Sequence, residues 1–215
     1  IPRCARNDKG IPARLLAGGL ATAYIAFGLT FRGPRQRFWQ RMTATGLALG
    51  SLAMAADPAF RRPRLRPKDA AMGLASAAAL YGMFQIGDRV ARRIMPDGAG
   101  DISDIYQLGE LRPKPELAAR LGLIVGPAEE LFWRGFVLRR LARLAGQPRA
   151  TLLATAAYGG AHLITGNATL IGAATVAGLF WSALAAAGMP MAALIVSHVA
   201  WDIWIFLLAP SKPPT

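Results

Sequence analysis

The sequence predicts an all-α membrane protein: a polytopic transmembrane helix bundle of about seven spans, forming a single membrane domain over residues 1–215. Three observations predict it. Hydrophobic residues make up 53% of the chain and charged residues only 17%, where soluble domains carry roughly 25% charged residues. The apolar residues fall into separate runs, most of them close to the roughly 20 residues a helix needs to cross the hydrocarbon layer. The basic residues lie between those runs. A net charge of +13 therefore reads as basic loops at a membrane surface, and the absence of one basic face or arm argues against nucleic acid as a partner. Helices are the default because lipid offers no partner to open backbone groups.

Taken in order, Leu15–Phe31 lies between Arg14 and Arg32. A short basic stretch precedes it, but Arg32 follows at once and no A-x-A-like site closes it, so it reads as a span rather than a signal peptide. Met42–Ala56 lies between Arg41 and Asp57 and is short for a span. Ala70–Gly87 follows a basic loop, and Leu117–Leu138 is apolar but interrupted by charges. Ala150–Gly166, Ala168–Met189 and Met191–Ala209 follow closely. Small residues in "LAGGLATA", "IGAATVAG" and "ALAAAG" suit close helix packing. The single cysteine, Cys4, excludes an internal disulfide and CxxC metal chemistry. The chain shows no internal repeat.

The arginines set an expected orientation. Arg139–Arg149 carries Arg139, Arg140, Arg143 and Arg149 and no acid, which places this loop in the cytoplasm by the positive-inside rule. Counting spans back puts Arg61–Lys68 and the N-terminus, with Arg3, Arg6 and Lys9, on the same side, and Asp88–Arg120 outside the cell membrane. Arg32, Arg35, Arg37 and Arg41 oppose this scheme, so either the second apolar segment does not fully cross or the rule fails there.

The polar residues inside the apolar runs carry the functional argument. Both histidines of the chain, His162 and His198, lie in predicted spans, as do three acids, Glu129, Glu130 and Asp202. A charge at mid-span costs on the order of 3 kcal/mol. In "GPAEELFWRGFVL", Gly126-Pro127 is expected to break or restart the helix, which would set Glu129 and Glu130 near a helix N-terminus favoured by the macrodipole. Glu130 and Arg134 stand at i, i+4 and can pair. Glu129, turned about 100° away, stays free of that arginine, so Glu130 is held and Glu129 works. His198 and Asp202, and Tyr158 and His162, also share faces at i, i+4. Taken singly, each has a structural reading: an ion pair, a satisfied core histidine, an interhelical clamp, and packing for Tyr158. Their concentration in the last few spans argues for a site.

These residues resemble the CPBP family, the CAAX-protease and bacteriocin-processing (Abi) intramembrane endopeptidases. "EELFWR" matches the family's EExxxR motif. "YGGAH" is similar to FxxxH, with Tyr158 in place of Phe, and "HVAWD" matches HxxxN/D. The resemblance covers a catalytic core over residues 115–208. It implies a multi-pass endopeptidase in which Glu129 and His162 activate a water, Glu130 and Arg134 complete the first motif, and His198 and Asp202 stabilise the oxyanion or hold the site. It admits two mechanisms. One places Zn2+ on Glu129, His162 and His198 with a position left for water; the other uses Glu129 as a metal-free base with histidine donors. No HExxH occurs on one helix. The composition suggests a bacterial source. The implied partners are membrane lipids and a hydrophobic or lipid-linked peptide or protein substrate. Phe132, Trp133, Trp181, Trp201 and Trp204 either pack the bundle or line an apolar groove for it.

Two other classes also bury Glu, His and Asp in spans: a proton-coupled carrier, and a non-catalytic scaffold or immunity protein. A carrier should show repeated halves with broken helices, which this chain lacks. The intact motif residues argue against an inactive scaffold.

Overall fold

The computed structural model describes residues 10–57, 65–94 and 107–208, and those residues are all-helical. Seven helices correspond to the seven apolar runs. They are α1 (Gly10–Phe31), α2 (Phe38–Ala56), α3 (Pro67–Ile94), α4 (residues 114–145), α5 (Gln147–Ala161), α6 (Ala168–Ala186) and α7 (residues 191–208). Ala13–Phe31, Pro67–Gly87, Ala168–Ala186 and Met191–Leu208 are each long and apolar enough to cross a membrane. The other three helices miss for physical reasons. α2 carries Gln40, Arg41, Thr43 and Thr45, α4 carries the buried charges, and α5 has only 15 residues. The protein is a multi-pass membrane protein, and large apolar side chains cover its outside, among them Ile25 and Leu29 on α1, Met83 and Ile86 on α3, and Leu152 on α5.

Polar ties fix which helix ends share a pole. Arg139 Nη1 donates to Asp57 Oδ2 at 3.0 Å, joining the end of α2 to the last turns of α4. At the other pole Arg35 donates to Gln107 at 3.1 Å, and Lys114 Nζ donates to the Leu207 carbonyl at 3.1 Å. With these ties successive helices alternate in direction, and α2 runs the full height of the bundle beside α1. The basic turn Arg32–Arg41 therefore lies at the pole opposite Arg139, and Arg35 and Arg41 are used locally. Arg41 Nη1 donates to the Leu29 carbonyl at 3.0 Å, satisfying one of the acceptors left open at a helix C-terminus.

Several sequence expectations need correction. Gly126-Pro127 does not break the helix: α4 continues from residue 114 to residue 145, with wider π-turns at Leu121–Val125 and Leu131–Leu138. Proline removes an N–H and crowds the carbonyl four residues back. The π-turn before it hands the Gly126 N–H to the Leu121 carbonyl, five residues back, so the chain passes Pro127 without ending the helix. Asp88–Arg120 is not one long loop, because α3 continues to Ile94 and α4 starts at Lys114. Arg139–Arg149 is mostly the last turns of α4 and the first of α5, joined at Gly146 with φ +80°. The helix in Ala150–Gly166 stops at Ala161. The positions of Arg3, Arg6, Lys9 and Arg61–Arg64 lie outside the described residues, as do Cys4 and Ala209.

The apolar interior divides in two. One cluster joins α1, α2, α4 and α5 around Phe27, Trp39, Phe132, Trp133 and Phe136. The other joins α3, α6 and α7 around Leu80, Trp181, Leu194 and Trp201. The buried charges lie at the seam between these two clusters.

Candidate active site

The site is built on the middle of α4. Glu129 and Glu130 fall about halfway along this helix, with neighbouring backbone groups already in the helical ladder. The expected help from a helix N-terminus is therefore missing, and side chains must satisfy these carboxylates. Glu130 is fully buried, and its Oε1 accepts two hydrogen bonds: from Arg134 Nη1 at 2.9 Å and from His198 Nδ1 at 2.7 Å. The first is the expected i, i+4 pair. The second fastens α4 to α7. Arg134 also donates through Nη2 to the Gly178 carbonyl on α6 at 3.2 Å, and its guanidinium lies 4.9 Å from the Tyr158 ring centroid and 5.3 Å from that of Trp181. One ion pair thus ties four helices together. Three buried polar atoms here have no hydrogen-bond partner among the described residues: Glu130 Oε2, Trp133 Nε1 and Arg134 Nε.

Glu129 is held more lightly. Its Oε2 accepts a hydrogen bond from the Tyr158 hydroxyl at 2.8 Å. No hydrogen bond to Oε1 occurs among the described residues. The close approach of α2 behind it needs small residues: a Cβ on Gly50 would lie 3.1 Å from Ala128 Cβ.

His162 is not in mid-helix; it is the residue at which α5 ends. Its Nδ1 lies 2.9 Å from the Tyr158 carbonyl. A carbonyl can only accept, so Nδ1 carries the proton and Nε2 is left to accept or to ligate. Phe27 and Phe31 of α1 pack edge-on or tilted against the ring at 5.4 and 5.7 Å. The turn beyond is closed by Thr165 Oγ1 donating to the His162 carbonyl at 2.8 Å, and Asn167 caps α6 by accepting from the Leu170 N–H at 2.7 Å. His162 lies within electrostatic range of Glu129.

On α7, His198 stacks on Trp181 at 4.1 Å between centroids and 14° between planes. Trp181 is itself fixed by donating to Ser197 Oγ at 3.0 Å. With Nδ1–H given to Glu130, Nε2 of His198 faces Asp202 Oδ2 at 3.7 Å. That separation is an ion-pair contact, too long for a hydrogen bond. Asp202 is also within electrostatic range of Glu129 and Glu130.

All six residues expected from the sequence (Glu129, Glu130, Arg134, His162, His198 and Asp202) are therefore buried in one cluster from α4, α5 and α7. Tyr158, read as packing, belongs to it through its hydroxyl. Its i, i+4 relation to His162 was the available signal. The aromatic wall is only partly realised. Trp133 and Trp181 back the polar cluster, whereas Trp201 packs on Phe84 and Trp204 on Tyr81, both on α3. Zinc on Glu129, His162 and His198 was one of the two mechanisms that the resemblance admits. Among the described residues no three His, Cys, Asp or Glu side chains stand as a metal-holding group. Nδ1 of each histidine is held, by Glu130 in one case and by the Tyr158 carbonyl in the other, which leaves Nε2 as the open ring nitrogen of each.

A glutamate pair, an arginine one turn on, a histidine from the next helix and an H-x-x-x-D from a third now stand around one buried centre. Residues 115–204 match the Rce1-like family, described as type II CAAX prenyl endopeptidase Rce1-like. The Rce1-like segment contains every residue of the cluster and nearly coincides with the expected core over residues 115–208. It covers α4 through most of α7; α1, α2 and α3 lie outside it. No curated protein and no solved structure matches the chain.

Proposed function

We propose that the protein is an intramembrane endopeptidase in which Glu129 and His162 activate a water for attack on a peptide carbonyl. The observation that carries this reading is the unequal treatment of two adjacent carboxylates. Glu130 is locked by Arg134 and His198 and completes a structural ion pair. Glu129 keeps 5% exposure where Glu130 has none, and it holds a single hydrogen bond through one oxygen, so its other oxygen is available to take a proton. Buried charges are costly, and a carboxylate left this lightly held suits general-base work. His162 presents Nε2 as a second acceptor or, once protonated, as a donor to the leaving amine. His198 is fixed by Glu130 and by stacking on Trp181. The gap to Asp202 lets a reacting oxygen approach its Nε2 edge, where the ring would stabilise negative charge as an oxyanion donor. Because Nδ1–H is already given to Glu130, donation from Nε2 uses the imidazolium form of the ring.

Glu129 and His162 act on the water directly, and no step is routed through a metal. The family match makes a prenylated, C-terminal CAAX-type peptide the first substrate to test, and a hydrophobic or lipid-linked segment is the class the membrane setting supports. The test is cleavage of a quenched farnesylated peptide by purified wild-type protein and by Glu129→Gln. Loss of cleavage with an unchanged melting temperature is expected. Cleavage at the wild-type rate by a folded Glu129→Gln protein would remove this residue from the role of base.

A further inference from the structure

We propose that Tyr158 is a positioning residue for Glu129: its hydroxyl occupies Oε2 and so turns Oε1 toward the water to be activated. This inference rests on the reading of Glu129 as the base. Three observations support it independently of that reading. The hydroxyl of Tyr158, on α5, donates to Glu129 Oε2, on α4, at 2.8 Å, the one hydrogen bond this carboxylate receives among the described residues. The same residue's backbone carbonyl holds His162 Nδ1 at 2.9 Å. One residue therefore sets both the rotation of Glu129 and the tautomer of His162, the two groups proposed to share the water.

The ring itself is placed by a built socket. It sits edge-on to Trp133 at 5.3 Å and to His162 at 5.2 Å, with the Arg134 guanidinium 4.9 Å from its centroid. Its opposite wall is Gly178: a Cβ there would lie 2.8 Å from Tyr158 Cδ1. A side chain at 178 would push the ring out of this position. A ring placed this closely suggests that its polar tip has a task beyond filling space. This also gives meaning to the tyrosine in "YGGAH", at the position where the motif quoted above has phenylalanine. In this chain a hydroxyl is added to the ring, and the structure aims it at the carboxylate.

A carboxylate without this bond rotates more freely, and a bond to a charged acceptor is worth enough to alter a rate about tenfold or more. Tyr158→Phe keeps the ring, its packing and its cation–π contact, and removes only the hydroxyl. With a quenched farnesylated peptide, kcat should fall about tenfold while KM stays within about twofold, the signature of a loss confined to the chemical step. A substrate-independent measurement accompanies it. The infrared carboxyl band of Glu129, assigned as the band lost in Glu129→Gln, should move in Tyr158→Phe. Tyr158→Phe with unchanged kcat, while Glu129→Gln is inactive, would overturn this inference alone. So would a Glu129 band that stays at the same frequency. Activity in Glu129→Gln would overturn the reading on which it rests.

Discussion

At the scale of the residue, the two carboxylates of the EE pair should behave as different groups. Glu130 Oε1 neutralises Arg134, and both side chains are essentially inaccessible, at 0% and 1% exposure. Glu130→Gln leaves a buried guanidinium without its counter-charge and weakens the tie to His198. Breaking such a pair costs about 3–5 kcal/mol, so this variant should lose both activity and several degrees of melting temperature. Glu129→Gln keeps an oxygen for Tyr158 to donate to and strands no charge, so thermal melting should separate the two variants clearly. The Glu130–Arg134 pairing was legible in the sequence because charges inside apolar runs are few and i, i+4 spacing names their helical partners. What was not legible was contact across distance. Glu130 and His198 are 68 positions apart and Tyr158 and Glu129 are 29 apart, and no periodicity within one helix reports such a meeting. Tyr158 was read as packing for that reason: a ring beside a histidine is ordinary, and only the fold shows its hydroxyl ending on a carboxylate.

At the scale of the element, α4 is where the sequence misleads. Gly-Pro normally marks an interruption, but a π-turn absorbs it, and π-turns leave no mark in the apolar pattern. The glycine does a different job from punctuation. A Cβ on Gly126 would lie 2.8 Å from Val199 Cγ2 and 3.2 Å from the Leu121 carbonyl, so this residue sets how closely α7 can approach α4 one turn before Glu130. Gly126→Ala should overpack this crossing and cost about 1–3 kcal/mol. It should also loosen the Glu130–His198 contact. Val199→Ala in the same chain should recover part of that loss, a coupling that a double-mutant cycle on melting temperature measures directly. Strict additivity would show that the crossing is not the source of the effect. α5 teaches a similar lesson. Its apolar run continues to Gly166, but Gly166 takes a left-handed φ of +67° and Asn167 caps the next helix. The helix has already ended at Ala161, which leaves His162 at a terminus where its backbone is free to turn the ring inward.

At the scale of the whole molecule, the polar cluster is closed off and the outer surface is apolar. Glu129, Glu130, Arg134, His162, His198 and Asp202 are all buried, while leucine, isoleucine and methionine side chains cover the bundle outside. A substrate held in the bilayer is therefore concentrated beside the protein, and a soluble one is not. A lipid-anchored peptide should be cleaved at least about tenfold faster, in kcat/KM, than its unlipidated counterpart of the same sequence. Equal rates would count against access from the membrane. The apolar runs gave the helix number, and the arginines gave only part of the orientation. The basic turn at Arg32–Arg41 lies at the pole opposite Arg139, where Arg41 serves the end of α1 and Arg35 serves Gln107, a use that charge counting does not see. Metal dependence is a property of the assembled site as well. On the metal-free mechanism, protein stripped of metal and verified by elemental analysis should keep its cleavage rate. Loss of activity restored by stoichiometric zinc would instead favour an ion held through Nε2 of the histidines.

The central claim is that water, activated by Glu129, is added across a peptide bond inside this bundle. The most direct measurement is cleavage of a farnesylated peptide in proteoliposomes prepared in 18O-labelled water, read by mass spectrometry. Wild-type protein should yield two product peptides with one 18O in the newly formed carboxylate, and folded Glu129→Gln should yield neither. Labelled products from Glu129→Gln at the wild-type rate would contradict the account.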